Sequence, residues 1–315
     1  MAPTQSRIVG GALHARTALV TRDSAHVPPG SEVPDVAIIV PVYNGADTIA
    51  ACVRSLLALH YPHNRRAVIV VDNNSTDATL DILHDFGDEI TVLREVVRGA
   101  AAARNCGIRH TRASLIAFTD ADAEADPGWL RALIPPLNDV SVGIVGGRIL
   151  ASVGGNRIER FGEAIHDHAR AIHSQDAPYA MSGNWASRAE VLRGCGLFDE
   201  SLLRGQDVDL AWRIHRAGFR LVYAPAAVIR HHNERTIRGL MHEGYVHGFH
   251  RVSLLRKHAG NDAIRSPRSL VLQRLRGDLR RFRSGDVVDG LLWLLFNFGK
   301  SLGERAGRRA ARRQS

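Results

Sequence analysis

Apolar runs alternate with helix-forming segments between residues 36 and 119 of this chain. The longer runs are continuous and rich in β-branched side chains, which is typical of strands buried on both faces of a sheet. The predicted strands are residues 36–42, 67–71, 90–93 and 115–119, and the predicted helices between them are residues 49–57, 77–86 and 100–110. This order predicts an α/β fold whose mostly parallel sheet has helices on both faces.

Polar side chains follow three of these strands at the point where each strand ends. Tyr43 and Asn44 come at the end of the first strand, Asp72 ends the second, and Asp120 and Asp122 follow the last. Ligands of open α/β sheets bind at this carboxyl edge, so we expect the functional site there. Neither a glycine-rich dinucleotide loop nor a Walker lysine loop follows the first strand, which argues against those two classes of nucleotide site.

Asp120 and Asp122 lie one residue apart in a predicted bend. Two carboxylates so placed can point at one hard cation, and Mg²⁺ or Mn²⁺ is commonly held by one or two carboxylates together with substrate phosphates. The alternative is a solvated acidic loop, and Asp72 is equally open to interpretation as a turn residue. Two carboxylate sites at the strand ends of one sheet favour the functional interpretation.

The helix predicted after residue 205 begins with two acidic residues. Asp207 and Asp209 fall in its first turn, where negative charge interacts favourably with the helix dipole, and Arg213 and Arg216 lie near the other end. The charge pattern alone favours that explanation. The functional alternative is a carboxylate base that faces the candidate site.

Six short motifs succeed one another along the chain: Val40-Pro-Val-Tyr-Asn-Gly45, Val71-Asp-Asn-Asn-Ser-Thr-Asp77, Arg98-Gly-Ala-Ala-Ala-Ala-Arg-Asn105, Thr119-Asp-Ala-Asp122, Ser182–Leu192 with Gly196–Glu200, and Gly205-Gln-Asp-Val-Asp-Leu210. Their order and spacing resemble the family 2 glycosyltransferases, which are inverting enzymes with the GT-A fold. The resemblance covers about residues 34–235. It implies a Rossmann-like, nucleotide-binding sheet and a nucleotide-diphosphate sugar, such as a UDP- or GDP-sugar, as donor.

The resemblance also implies roles on the donor side of the site. Four residues match the positions that hold the base and ribose: Pro41, Tyr43, Asp72 and Asn73. Arg104 and Asn105 match a pair near the nucleotide and donor sugar. Asp120 and Asp122 match the D-x-D motif, whose carboxylates meet the ribose and the Mn²⁺ or Mg²⁺ ion that bridges the donor diphosphate.

On the acceptor side, Asp207 matches the carboxylate that takes the proton from the acceptor hydroxyl. The preceding residue is Gln206, where the family commonly has Glu, so Asp207 is the only ionisable member of the pair. An inverting displacement needs one base opposite the leaving group, and one Asp is enough.

Asn184 and Trp185 match a segment that borders the donor sugar and acceptor. Trp185 is a candidate for stacking on a sugar face, and a core position is an equal alternative. His231 and His232 are both candidates for a third metal ligand after the last strand of the sheet, with a solvated turn as the alternative.

Charge is concentrated at the carboxyl-terminal end of the 315-residue chain. Residues 251–315 contain 16 basic and 5 acidic residues, a net of +11, whereas the whole chain carries +9 and the first 250 residues therefore about −2. A partner of this tail should be anionic. Three scattered cysteines and no apolar leader segment indicate a reducing compartment. We expect a loose extension over residues 1–33, a catalytic domain over 34–235 and a basic helical region over 236–315.

Residues 287–298 form an apolar segment that is too short to span a bilayer. Basic clusters flank it on both sides: Arg274, Arg276, Arg280, Arg281 and Arg283 before it, and Lys300, Arg305, Arg308, Arg309, Arg312 and Arg313 after it. This pattern suits a helix that lies in the interface of an anionic leaflet. We therefore expect peripheral attachment to the cytoplasmic face of the cell membrane and a glycan or lipid-linked acceptor. The alternative is a helix packed on the catalytic domain or in a dimer contact.

Two other function classes fit the sequence less well. A sugar-phosphate nucleotidyltransferase usually has a Gly-rich loop with Arg and Lys after its first strand, which residues 42–45 lack. A nucleic-acid-binding protein would account for the basic tail, but that tail has few aromatic side chains to stack on bases, and the acidic strand ends would repel phosphate without a metal. We therefore expect no nucleic-acid partner.

Overall fold

The computed structural model describes residues 35–175, 177–258 and 286–313. The extension expected over residues 1–33 lies outside the described residues. The strands are β1 (Val36–Val42), β2 (Arg66–Asp72), β3 (Thr91–Arg94), β4 (Leu115–Thr119), β5 (Ala123–Ala125), β6 (Val142–Ala151), β7 (Asn184–Arg188) and β8 (Arg220–His231). The helices are α1 (Ile49–Leu57), α2 (Thr79–His84), α3 (Ala100–His110), α4 (Trp129–Leu133), α5 (Arg157–Ile165), α6 (His168–Ile172), α7 (Ala189–Gly194), α8 (Gln206–Arg216), α9 (Ile237–His258) and α10 (Val287–Arg313).

The strands form one mixed sheet in the order β3-β2-β1-β4-β7-β6-β8-β5. The first four strands of this order are parallel, as the sequence predicts, whereas β7 runs antiparallel to both of its neighbours and β5 antiparallel to β8. Alternate residues of β1 enter two different apolar clusters, with Ile38 in one and Ile39 in the other. Helices cover both faces of β1, which is why its apolar run is continuous.

β8 continues past Pro225 and ends at His231. Pro225 is accommodated because the pairing with β6 is irregular there: Ala224 pairs with Gly147, but the next paired residue of β8 is Val228. Proline lacks an N–H to donate to a ladder and is tolerated in a strand at such irregularities. The extension makes His231 the last residue of the strand rather than part of a following turn.

α9 and α10 run side by side in the same direction with their backbones in close contact. Gly248 faces the Lys300 carbonyl oxygen and Gly303 faces the Tyr245 carbonyl oxygen so closely that an added Cβ would lie 2.0 and 1.9 Å from them. Glycines at these positions therefore allow the two helices to approach at the backbone. Because the glycines repeat every four residues on α10, they form one stripe along the helix.

α10 contains the apolar segment for which the sequence favours a helix lying in a membrane interface. In the structure Leu292 and Phe296 of this helix are buried against Leu240 of α9 and Phe161 of α5. The alternative of a helix packed on the rest of the protein thus holds for one face of α10. Among the helices of residues 35–258 and 286–313, none is both long enough and apolar enough to cross a membrane. Of the flanking basic clusters, the one before the segment lies outside the described residues.

Candidate active site

Two carboxylates and one imidazole meet at the carboxyl edge of the sheet. Asp120 and Asp122 lie in the turn between β4 and β5, and pairing of Ala123 with His231 brings the end of β8 beside that turn. One potential ligand atom from each of Asp120, Asp122 and His231 lies within 4.8 Å of the others, which is a geometry that could hold a metal ion. Nε2 of His231 is 3.2 Å from Oδ1 of Asp122.

His232 points away from this cluster. Its Nε2 is 3.7 Å from Glu124 and its Nδ1 is 3.8 Å from Glu159, while its backbone N–H donates to the Asp122 carbonyl oxygen. Successive side chains of a strand point to opposite faces, so only one of two adjacent histidines can face the carboxylates. Of the two candidates that the sequence leaves open, His231 is the one that lies with Asp120 and Asp122.

Asp122 and His231 perturb each other's ionisation. Burial opposes charge on Asp122, but the adjacent His231 outweighs burial and lowers the pKa of Asp122. Burial alone would favour the neutral imidazole, but Asp122 raises the pKa of His231 to about 9. Without a metal ion the pair thus holds a proton, and a metal bound there would take the place of that proton, because metal-ligating histidine is neutral.

Arg104 extends the cluster from α3. This side chain is buried, and its Nη2 donates to Oδ1 of Asp120 at 2.6 Å. Its Nε and Nη1 have no hydrogen-bond partner among the described residues. Buried donors without partners are rare in native proteins, so two donor nitrogens are left available to an anionic ligand at this position.

Asp207 lies at the start of α8 and is half-buried. Its Oδ2 accepts a hydrogen bond from the backbone N–H of Ser182 at 3.2 Å. Burial raises the pKa of Asp207, and Arg104 opposes that change. The result is a carboxylate that is a stronger base than an exposed aspartate.

Gly183 joins the two acidic parts of the site, and sequence reasoning assigned it no such role. A Cβ at this position would lie 2.7 Å from Oδ2 of Asp120, and the preceding Ser182 contacts Asp207. The absence of a side chain therefore lets the loop before β7 lie against Asp120 while its neighbour holds Asp207. The signal in the sequence was the motif Ser182-Gly183-Asn184, but which carboxylate it contacts depends on the fold.

On the expected donor side, Asp72 and Tyr43 end adjacent parallel strands. Asp72 is fully buried, and its Oδ1 accepts from the Ser75 N–H. Its Oδ2 has no hydrogen bond among the described residues, although Nε of Arg94 lies 3.7 Å away. The Tyr43 ring is 53% exposed, with the Arg98 guanidinium 5.9 Å from its centre, and the half-buried Pro41 lies two residues before it. An exposed ring and a carboxylate oxygen that accepts no hydrogen bond, at the ends of two adjacent strands, suit a nucleoside.

The side-chain amides of three asparagines that the sequence places in the site form hydrogen bonds to other groups of the protein. Asn73 donates to two carbonyl oxygens of the loop at residues 95–97, and its Oδ1 accepts from Gly99. Asn105 donates to Phe198 and Glu200 and accepts from the Phe198 N–H. Asn184 accepts from the indole N–H of Trp129 and donates to two backbone carbonyls. In this structure these residues shape the loops and strands around the site.

Trp185 is fully buried, with its ring 5.5 Å from that of Phe118 and 6.0 Å from that of Phe198. It lies on β7 with its side chain in the core, where no sugar can reach it. The stacking interpretation does not fit this position, and the core alternative does. A tryptophan in a short motif gives no local indication of which face of the sheet it occupies.

His166 and Glu243 form a titratable pair behind His231 that sequence reasoning did not single out. The His166 ring is 5.4 Å from that of His231, and its Nε2 is 3.6 Å from Glu243. Burial raises the pKa of Glu243 to about 7. α9 thus contributes a carboxyl group to the wall of the site next to the candidate metal ligands.

Comparison with known proteins identifies relatives of this chain. The profile described as Glycosyl transferase family 2 matches residues 37–195, half of the chain. The pre-mycofactocin glycosyltransferase of Mycobacterium tuberculosis is 30% identical over 302 residues, covering 90% of this chain and 59% of the relative. Glycosyltransferase AglE of Haloferax volcanii is 32% identical over 200 residues, covering 62% of this chain and 66% of the relative. The chain therefore spans less than two thirds of the length of these relatives.

Solved structures show the same fold. The mannosyltransferase PcManGT of Pyrobaculum calidifontis, in complex with GDP-Man and Mn²⁺, has a TM-score of 0.59 at 22% identity, over 90% of this chain and 78% of that one. Residues 1–349 of S. aureus TarS, in complex with UDP-GlcNAc, have a TM-score of 0.52 at 15% identity, over 89% of this chain and 92% of that one.

Proposed function

The chain belongs to glycosyl transferase family 2, and on that premise we propose that it transfers a sugar from a nucleotide-diphosphate donor to an acceptor hydroxyl, with inversion at the anomeric carbon. The observation that carries the proposal is the meeting of Asp120, Asp122 and His231, with Asp207 held nearby by the loop before β7, which contacts both Asp120 and Asp207. An ion site and a separate carboxylate base are the two parts that such a displacement requires.

The donor set fits a divalent ion. Two carboxylates and one imidazole suit Mn²⁺ or Mg²⁺, and the ion would be held by Asp122 and His231 with Asp120 beside them. Bound there, it would supply positive charge for the diphosphate that leaves. PcManGT was solved in complex with GDP-Man and Mn²⁺, and TarS in complex with UDP-GlcNAc. These ligands belong to the two structural neighbours, and they support the proposal of a nucleotide-sugar donor and a metal for this chain.

The protein's own residues have three tasks in this scheme. Tyr43 and Asp72 bind the nucleoside, and the unpartnered N–H groups of Arg104 hold an anionic part of the donor. Asp207 accepts the proton of the acceptor hydroxyl. At the same time the hydroxyl oxygen bonds to the anomeric carbon, and the bond from that carbon to the diphosphate oxygen breaks. The Ser182 N–H keeps the Asp207 carboxylate oriented while burial strengthens it as a base.

We also propose that the acceptor is a glycan or lipid-linked sugar met at an anionic membrane surface, on the cytoplasmic face. One face of α10 is buried, but Leu291, Phe298 and Leu302 of the opposite face are exposed. Arg305, Arg309 and Arg312 continue that face toward the end of the helix at spacings of three and four residues. An exposed apolar strip that continues into arginines suits shallow insertion into an anionic leaflet.

A donor screen tests the transferase proposal. The full chain is incubated with UDP-, GDP- and dTDP-sugars, with Mn²⁺ or with EDTA, and release of the nucleoside diphosphate is measured. We expect release from one class of donor, with metal only, and loss of release in Asp122→Ala with the fold intact by circular dichroism. Undiminished release in EDTA would contradict the metal assignment, and absence of both binding and release with every donor would contradict the transferase.

A further inference from the structure

The carboxyl-terminal end of α9 contacts α8. α8 begins at Gln206, one residue before Asp207. Asp209, two residues after Asp207, has a fully buried carboxylate. Its Oδ2 accepts from Arg213 at 2.7 Å on the same helix. Its Oδ1 accepts from Nζ of Lys257 and from Nε2 of His258, each at 2.8 Å. A buried carboxylate is thus satisfied by three side chains, two of which come from α9.

His258 is held on three sides by α8. Its side chain is only 9% exposed, its Nδ1 is 2.7 Å from Nη1 of Arg216, and its ring meets that of Trp212 edge to face at 5.0 Å. Arginine can only donate, so Nδ1 is the acceptor and Nε2 carries the proton given to Asp209. The tautomer follows from these partners, and the ring orientation is fixed by them.

Lys257 connects α8 to the loop that precedes it. Besides Asp209, its Nζ donates to Asp199, at the other end of the loop of residues 199–205. Burial opposes charge on Asp199, but the hydrogen bonds from Lys257 and Ser201 outweigh it and lower the pKa of Asp199 to about 2. One ammonium group therefore holds together the two carboxylates at the ends of the segment that presents Asp207.

We infer that Lys257 and His258 are positioning residues for the base Asp207. The helix pair α9–α10 is then part of the catalytic apparatus, in addition to its proposed role in attaching the protein to a membrane. This inference rests on the proposed function. Without Lys257, Asp199 and Asp209 would repel each other, and the loop would no longer be fixed to α8. Misplacement of a catalytic group by about 1 Å can cost about 10²-fold in rate.

The test compares Lys257→Met with Lys257→Arg in the full chain, using the donor that the wild type accepts. We expect kcat to fall about 10- to 100-fold in Lys257→Met, with the KM for the donor and calorimetric binding of the nucleoside diphosphate with Mn²⁺ unchanged. Amide exchange in residues 199–207 should become faster. Lys257→Arg should recover most of kcat because it keeps a cationic donor between the two carboxylates.

Arg238→Met is the matched control, since Arg238 is exposed on the first turn of α9, far along the helix from Lys257. It should leave kcat and amide exchange unchanged. If Lys257→Met fails to fold, His258→Phe serves instead, because it keeps a ring against Trp212 and loses both hydrogen bonds; its kcat should also fall.

Three results would overturn the inference: wild-type kcat in the variant that folds, loss of donor binding in parallel with kcat, or no recovery in Lys257→Arg. A wild type that neither binds nor turns over any donor would instead contradict the proposed function. The two failures are therefore distinguishable in the same set of measurements.

Discussion

At the scale of single residues, the site depends on which side chains face one small volume. Asp120, Asp122 and His231 converge because a turn after β4 meets the last residue of β8. Asp207 comes from a helix elsewhere in the chain and is placed by a backbone N–H. Substitutions that preserve the shape of the side chain can test the proposed role of each of these residues separately.

Asp207→Asn should lower turnover by about 10²–10⁴-fold, the usual contribution of a general base, with donor binding little changed. Because burial raises the pKa of Asp207, the wild-type rate should be lost as pH falls through a value above that of an exposed aspartate, about 3.9. The measurement is kcat against pH for both proteins. Residual activity of the variant should lack this acid limb.

Asp81→Asn is a matched control, because Asp81 is an exposed acidic residue in the first turn of α2. It should leave the rate and its pH profile unchanged. A variant at Asp207 that loses donor binding but keeps turnover at saturation would assign this residue to another role.

His231→Ala and His232→Ala form a matched pair of neighbouring substitutions. The first should weaken Mn²⁺ binding in the presence of UDP or GDP at least tenfold, a loss of about 1.4 kcal/mol, because it removes the imidazole that faces Asp122. The second should not, since His232 points toward Glu124 and Glu159. Calorimetric titration of Mn²⁺ measures both. Equal effects of the two substitutions would contradict the assignment.

At the scale of elements, the contact between α9 and α10 is the feature least expected from the apolar pattern. Glycines on both helices bring backbone against backbone, so a methyl group has no space there. Elsewhere in a helix, alanine is favoured over glycine by about 1 kcal/mol. Whether a Gly→Ala substitution raises or lowers the free energy of unfolding therefore reports whether this contact exists in solution.

Gly303→Ala should destabilise the protein by about 1–3 kcal/mol, because the added Cβ would overlap the Tyr245 carbonyl oxygen. Gly128→Ala is the control, since a Cβ there meets nothing within 4 Å and the backbone is of an ordinary conformation. It should change stability by less than about 1 kcal/mol. Denaturant unfolding of the full chains gives both values. A stabilising Gly303→Ala would contradict the close packing.

At the scale of the whole molecule, positive and negative charge are concentrated in different parts of the chain. The tail is rich in arginine, and the carboxyl edge of the sheet is rich in carboxylates. The carboxylates of the sheet edge require a cation to accept a diphosphate, while the arginines of α10 suit an anionic surface. The proposed function would therefore place the nucleotide-sugar donor and the membrane surface at two different parts of the chain. α9 links the two, because it contacts α10 along its length and α8 at its end.

Leu291→Glu together with Phe298→Glu should abolish flotation of the full chain with anionic liposomes at low salt, because both side chains are exposed on the outward face of α10. Val140→Glu is the control, an exposed apolar residue just before β6. It should float like the wild type. Failure of the wild type itself to float with anionic lipid would contradict the membrane proposal.

The parallel half of the sheet, its helices and the edge at which the candidate ligands meet were all predictable from the sequence. Strands buried on both faces are visible as continuous apolar runs, and parallel strands place their following polar residues at one edge. Asp72, Asp120 and Asp122 were predictable for that reason. The motif order was also sufficient to indicate the family, since it lies in the local sequence.

Which side chains face the candidate site depends on strand pairing and on contacts between distant parts of the chain. His231 rather than His232 lies with Asp120 and Asp122, and Trp185 lies in the core, because side chains alternate across a strand and the pairing partner sets which face is inward. The buried face of α10 likewise depends on glycines about 50 residues away in α9. Register and close backbone contact join residues distant in the chain, and local periodicity contains no information about such pairs.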